Sequence, residues 1–235
     1  MRKLRSALFA RASRLQREEA GVTLSELIVT IALMGMLLAM VMTIFITFTR
    51  TFSEERSASA NTSAATVAMN ELTRVIRSGT ENPVATATLN EPVFSVASPE
   101  NVVLQAYLDT DALTPKPVKV QFQITADRTL VETRWDAQSL SSGYFSFSST
   151  AASQRTVVRQ IATGSTPVFR FYTKENAELV VPASGALTES QRRLVAAVKV
   201  TMTVQTDPTG AAKTATLENT VGIPNLGFSR IGIDR

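Results

Sequence analysis

The sequence predicts an α+β fold in which one long N-terminal helix, apolar in its first half, packs on an antiparallel β-sheet head. Three observations predict this fold. No charged residue occurs from Leu27 to Thr49, and a helix of that length, rising about 1.5 Å per residue, extends roughly 35 Å and can cross a bilayer. After Arg50 the apolar residues recur every three or four positions, as on one face of a helix. Beyond Pro92 they recur every two positions, as in strands.

Residues 1–21 form a basic leader ahead of the apolar run. They hold six basic and two acidic side chains, so the 24 basic and 20 acidic residues of the whole chain leave equal numbers of the two signs elsewhere. Basic residues beside an apolar helix keep that end in the cytoplasm, which predicts a single-pass membrane protein with its leader inside and its head outside. A head without net charge gives no electrostatic reason to expect a nucleic-acid partner.

A secretory signal peptide is one alternative for this N-terminus. The apolar core of such a peptide is about 7 to 15 residues long, and the run here is longer. The small-residue sequence Ala58-Ser59-Ala60 offers a cleavage site downstream, but the charged residues 54–56 separate it from the apolar run. The run is therefore better explained as a membrane anchor.

An anchor that is never processed is the second alternative, and it leaves Glu26 unexplained. A lone carboxylate at the edge of an apolar helix costs free energy, about 2.5 to 3.5 kcal/mol at the bilayer centre and less near the interface. Such a group usually has a partner. A cut after Gly21 would supply one, because Val22 would then carry a free amine.

The second half of the helix is predicted over 50–79, after the apolar half at 22–49. Its apolar positions keep a helical spacing while polar residues fill the others; these positions are Ala58, Ala65, Met69, Leu72, Val75 and Ile76. Gly79 and then Pro83 are expected to end the helix. The β-rich head is expected to occupy 80–235.

The head is predicted to be built from short strands. The expected strands are 102–108, 118–125, 129–135, 145–148, 156–161, 169–173, 178–181, 198–204 and 214–221. A hairpin turn is expected at Ala126-Asp127-Arg128 and another turn at Asp207-Pro208-Thr209-Gly210. One helical turn is expected within 187–194, because Thr188 and Gln191 have the spacing of a capping box.

The residue types that most often carry catalysis are absent. The chain has no cysteine and no histidine, which excludes disulfides, Ser-His and Cys-His nucleophiles and an ordinary zinc site. No phosphate-binding loop or dinucleotide fingerprint occurs. Asp109 and Asp111 could contact calcium, but a solvated turn explains them better, because no EF-hand pattern is adjacent. The sequence therefore predicts no enzyme and no cofactor.

Six basic residues of the head could instead form a binding patch, although the solvated faces of strands explain them better. They are Arg155, Arg159, Arg170, Lys174, Arg192 and Arg193.

The stretch Gly21-Val22-Thr23-Leu24-Ser25-Glu26, followed by Leu27 and Ile28, resembles the prepilin peptidase motif of the type IV pilin and pseudopilin superfamily. That motif is a glycine, an apolar residue, threonine, leucine, any residue and glutamate, ahead of an apolar helix. The resemblance implies cleavage after Gly21, N-methylation of Val22, and pairing of Glu26 with a neighbouring subunit's N-terminus during assembly. The implied partners are prepilin peptidase, other pilin subunits through their N-terminal helices, and membrane lipid before assembly.

Two features depart from the family pattern. Val22 stands where phenylalanine is commonest, which bears on the extent of methylation. The apolar helix also contains no proline. Its one weak point is therefore Gly35, because a glycine destabilises a helix interior by about 1 kcal/mol relative to alanine.

The head is similar, less specifically, to larger minor pilins and J-type pseudopilins. The similar segments are Phe169-Arg170-Phe171-Tyr172, Arg192-Arg193-Leu194-Val195 and the helix end from Glu71 to Arg77. The expected function is that of a filament subunit. The alternatives are a filament-tip module that binds DNA, a surface or a secreted substrate, and a signalling or enzymatic ectodomain on an uncleaved anchor.

Overall fold

The structure is a computed structural model that describes residues 21–84, 89–108, 113, 115–141, 143–162, 167–205 and 214–226. The chain divides into two compact units, Met1–Ser53 and Glu54–Arg235. Helix α1 (Leu24–Arg77) is followed by strands and by the short helix α2 (Glu189–Arg192). The strands are β1 (Phe94–Ala97), β2 (Asn101–Ala106), β3 (Val118–Ile124), β4 (Leu130–Ser141), β5 (Tyr144–Phe147), β6 (Ser153–Val158), β7 (Phe169–Tyr172), β8 (Glu178–Leu179), β9 (Ala197–Val204) and β10 (Ala215–Gly222). Pro224–Leu226 forms a final turn of 3-10 helix.

Helix α1 has 54 residues and changes character along its length. The side chains from Leu27 to Thr49 are all exposed, whereas the C-terminal part of α1 buries one face within the second unit. The buried residues are Asn61, Ala65, Ala68, Met69, Leu72, Val75 and Ile76. Their spacing of three or four residues is that of an amphipathic helix whose apolar stripe meets a core.

Two antiparallel sheets make up the rest of the second unit. The first has six strands in the order β1-β2-β3-β4-β5, with β6 also paired to β4. The long strand β4 pairs with β6 through Leu130–Arg134 and with β5 through Ala137–Ser141. The second sheet has four strands in the order β10-β9-β7-β8.

The core of the second unit lies where the amphipathic face of α1 and both sheets contribute buried apolar side chains. Phe94 of the first sheet meets Phe171 of the second edge to face, with 5.9 Å between ring centroids, a favoured aromatic geometry. Gly79, just past α1, is a point of close approach. A Cβ built there would lie 2.8 Å from Val93 Cγ1 and 2.9 Å from the Ile76 carbonyl oxygen.

The predicted fold class is confirmed, because a long N-terminal helix precedes and packs on antiparallel sheets. The hairpin at residues 126–128 is confirmed, with Arg128 at a φ of 57°. The capping box is also confirmed. The Thr188 side chain accepts a hydrogen bond from the Gln191 backbone N–H, and the Gln191 side chain accepts one from the Thr188 backbone N–H. The helix ends at Arg77, two residues before Gly79.

Some strand expectations were wrong in position or were missed. Strand β1 was missed because a register shift between Phe94 and Val96 breaks its alternation. Strand β4 continues to Ser141 rather than ending at Trp135. Strand β6 precedes its expected position, and Ile161 forms only an isolated bridge to Val204. The turn expected at 207–210 and the acidic pair Asp109 and Asp111 lie outside the described residues.

Candidate functional site

The candidate site is the chain entry into helix α1. Gly21 and Val22 precede the helix and are exposed, and a Cβ built on Gly21 would have no heavy atom within 4 Å. Thr23 occupies the N-cap position, where its Oγ1 accepts a hydrogen bond from the Glu26 backbone N–H at 3.3 Å. A threonine cap satisfies one of the amide groups that the first helical turn leaves unpaired. The peptide after Gly21 therefore lies in accessible, non-helical chain.

Glu26 lies in the first turn of α1, three residues after the cap. Its side chain is exposed, and the described residues supply no ion-pair or hydrogen-bond partner for its carboxylate. The positive end of the helix dipole stabilises an anion in this turn by roughly 0.3 to 1 kcal/mol. The structure thus places Gly21, Val22 and Glu26 together in one exposed stretch and gives the carboxylate no partner among the described residues.

The segment after Glu26 exposes large apolar side chains around its circumference. The exposed fractions include 64% at Ile31, 75% at Met34 and 64% at Leu37. Single exposed apolar residues are ordinary on protein surfaces, but a contiguous apolar surface of this size marks contact with lipid or other proteins. Helix α1 is long and apolar enough to cross a membrane.

The hydroxyl groups of this segment are satisfied within the helix. Thr43, Thr47 and Thr49 each donate a hydrogen bond to the carbonyl four residues earlier, at 2.8 to 2.9 Å. Thr30 donates in the same way to the Glu26 carbonyl. A hydroxyl that is paired in this way does not need water, so these threonines are compatible with an apolar environment.

An ion-pair cluster joins the end of α1 to the first sheet, well beyond the apolar segment. Glu132 on β4 is 1% exposed, accepts from Arg134 Nε, and accepts from Arg155 Nε at 2.7 Å. Glu71 on α1 lies 2.6 Å from Arg74 Nη2, 3.0 Å from Arg134 Nη2 and 2.7 Å from Arg155 Nη2. Three guanidinium groups thus hold two carboxylates between a helix and two strands.

The pKa of Glu71 is lowered from its usual value. Burial alone would raise the pKa, but the hydrogen bond from Arg74 and the positive charges of Arg74, Arg155 and Arg134 together outweigh it. Glu71 therefore remains ionised in the fold to a lower pH than an exposed glutamate.

The interpretation of the basic head residues as solvated strand faces agrees with Arg155, which is exposed on β6; its guanidinium also belongs to this cluster. Others have local partners: Arg170 lies 3.9 Å from Glu178, and Arg193 pairs with Glu189 at 2.6 Å. Sequence inspection could not find the cluster, because its members come from three elements that are distant along the chain.

Among the described residues, no group of three or more histidine, cysteine or acidic side chains is placed to hold a metal ion.

A comparison of the chain with protein-family models found no matching family, and a comparison with curated proteins found no significant match.

Proposed function

We propose that this chain is a prepilin-type subunit, cleaved after Gly21 and assembled through its N-terminal helix into a type IV pilus-like filament. One observation carries the proposal: the motif from Gly21 to Glu26 lies in exposed chain at the start of a helix that is charge-free from Leu27 to Thr49. A peptidase needs such an accessible, unfolded peptide. A helix-based filament needs such an apolar surface.

The proposed topology follows from the basic leader and the apolar helix. Before assembly the leader is cytoplasmic, the apolar segment is in the membrane, and the head is outside. In the filament, the apolar segments of neighbouring subunits replace lipid as the environment of this surface. The subunit then belongs to a cell-surface or extracellular filament.

Glu26 has the assembly role in this proposal. Cleavage gives Val22 a free amine, which is the group that N-methylation would modify. An ammonium and a carboxylate attract far more strongly among apolar helices than in water. The Glu26 carboxylate of one subunit paired with the Val22 amine of another would select one axial stagger between them.

The test is processing of the chain in cells that contain an active prepilin peptidase. We expect intact-mass measurement to show loss of residues 1–21, and Gly21→Val to slow the cut because a branched side chain would stand beside the scissile bond. Gly35→Ala is the matched control, since a Cβ there also meets no heavy atom within 4 Å but lies away from the bond. A mature protein that still begins at Met1 or Arg2 would contradict the proposal.

A further inference from the structure

A cleft of about 470 Å³ lies on the first sheet, on the face opposite the core. Gln105 of β2 is directly opposite Lys119 of β3, and Lys119 is directly opposite Trp135 of β4. Directly opposed residues share one face of an antiparallel sheet. The next residue along β3, Val120, is fully buried on the core side. Gln105 and Lys119 therefore line a site that the core does not use.

The polar end of the cleft holds two buried amides beside a carboxylate. Asn82 is 5% exposed and Gln105 is 3% exposed. The Asn82 Nδ2 donates to Glu91 Oε2 at 3.2 Å, and the Gln105 Nε2 donates to the same oxygen at 3.1 Å. These two bonds fix which way each amide points.

That orientation leaves two amide oxygens without donors. Among the described residues, nothing donates to Asn82 Oδ1 or to Gln105 Oε1. A buried acceptor without a partner costs about 1 to 3 kcal/mol, and native folds keep few of them. These two oxygens are themselves closed to solvent, so a ligand in the cleft would reach the exposed Glu91, which both amides orient, rather than the amide oxygens.

Aromatic rings and one cation also line the cleft. Tyr144 and Phe147 of β5 line the cleft and are half-buried. The Lys119 ammonium lies 4.7 Å from the Trp135 ring centroid and 5.7 Å from that of Phe147, a distance at which cation–π attraction holds the side chain in place. The cleft thus offers flat apolar rings together with a positioned donor.

We propose that this cleft binds a neutral saccharide of about two sugar rings. Sugar hydroxyls can donate to the exposed Glu91 carboxylate, and sugar oxygens can accept from Lys119. The apolar C–H face of a sugar ring can pack on Tyr144. A ligand with strong charge of either sign is disfavoured, because the cleft contains both a carboxylate and an ammonium.

The volume agrees with this ligand class, since small-molecule sites commonly enclose about 300 to 1,000 Å³ and combine apolar walls with a few placed polar groups. The inference goes beyond the proposed filament role and does not depend on cleavage or assembly. It concerns the second unit alone, and an unprocessed chain would bind equally well.

The experiment titrates the full chain with cellobiose, maltose and N,N′-diacetylchitobiose. The detergent must lack a sugar headgroup, because a maltoside would compete. Trp135 is the only tryptophan of the chain and lies under Lys119, so its fluorescence reports on the cleft. Saturation-transfer NMR gives an independent readout of binding.

We expect at least one disaccharide to bind saturably, and Tyr144→Ala to weaken that binding about tenfold or more, a loss of about 1.4 kcal/mol. Tyr172→Ala is the matched control, because Tyr172 is also a half-buried strand tyrosine but is not part of the cleft. Lys119→Met, which keeps the apolar stem, should also weaken binding.

Three results would overturn the proposal. The first is that none of the disaccharides binds saturably. The second is that the two tyrosine variants lose affinity equally while their thermal melts match that of the wild type. The third is that tetralysine or tetraglutamate saturates the cleft and the disaccharides do not, which would assign it to a charged ligand.

Discussion

Glu26 is the residue on which the proposed assembly mechanism depends. Its carboxylate is exposed in the first turn of α1, and no described residue pairs with it. We expect Glu26→Ala to leave membrane insertion and cleavage intact but to lower the filament fraction of this subunit about tenfold, equivalent to about 1.4 kcal/mol. The measurement is the amount of subunit in sheared filaments relative to the membrane-retained pool.

The control for Glu26 is a charge reversal at Glu189. That carboxylate is exposed and pairs with Arg193, the C-cap of a short helix, so reversing its charge should change stability little and leave the filament fraction unchanged. If Glu26→Ala enters filaments as well as the wild type does, the carboxylate does not guide assembly. If Glu26→Ala is not cleaved, its role belongs to the peptidase reaction instead.

At the scale of elements, the ion-pair cluster fastens the end of α1 to strands β4 and β6. Two carboxylates at Glu71 and Glu132 are surrounded by three arginines from α1, β4 and β6. Removing one partner of a buried pair is costly, because it leaves the remaining charges without compensation. The cluster therefore couples the helix to the sheet through charge as well as through apolar packing.

This coupling predicts a pH dependence of stability. Because the pKa of Glu71 is lowered in the fold, its stabilising contribution is complete above the usual glutamate pKa near 4.5 and is lost as the pH falls through the folded pKa. We expect the urea midpoint of the wild type to fall between pH 6 and pH 3. Glu71→Gln should unfold at lower urea than the wild type at pH 6, and the difference should shrink at pH 3.

Glu178→Gln is the matched control for this experiment, since Glu178 is an exposed partner of Arg170 at 3.9 Å. Its free energy of unfolding at pH 6 should stay within about 1 kcal/mol of the wild-type value. If the urea midpoints of Glu71→Gln and the wild type differ by the same amount at pH 6 and at pH 3, the ionisation of Glu71 does not stabilise the packing of the helix on the sheet.

At the scale of the whole molecule, the two compact units differ in the surroundings that their apolar side chains need. The first exposes an apolar helix that needs lipid or partner helices, whereas the second encloses its own core. We expect a fragment from about Arg50 onward to be soluble. Circular dichroism of the fragment should show β-structure with one helix. A largely helical spectrum, or precipitation without detergent, would contradict this division of the chain.

The sequence by itself determined the features that local patterns encode. The charge-free run, the three-to-four spacing after it and the alternation along β9 each follow from how a helix or a strand exposes its side chains. The two elements that carry these patterns, α1 and β9, both form as predicted. The motif from Gly21 to Glu26 is contiguous, so the candidate site could be located from the sequence, and its accessibility is what the structure adds.

Only the tertiary structure decided which distant residues meet. Glu71 and Glu132 share arginines because β4 pairs with β6 beneath α1. Asn82 and Gln105 converge on Glu91 because the chain after the helix returns along the first sheet. Strand pairing joins residues regardless of their separation in the chain. The alternation along one strand shows which of its faces is buried, but not which other strand lies beside it. The cluster and the cleft therefore have no signature in the sequence.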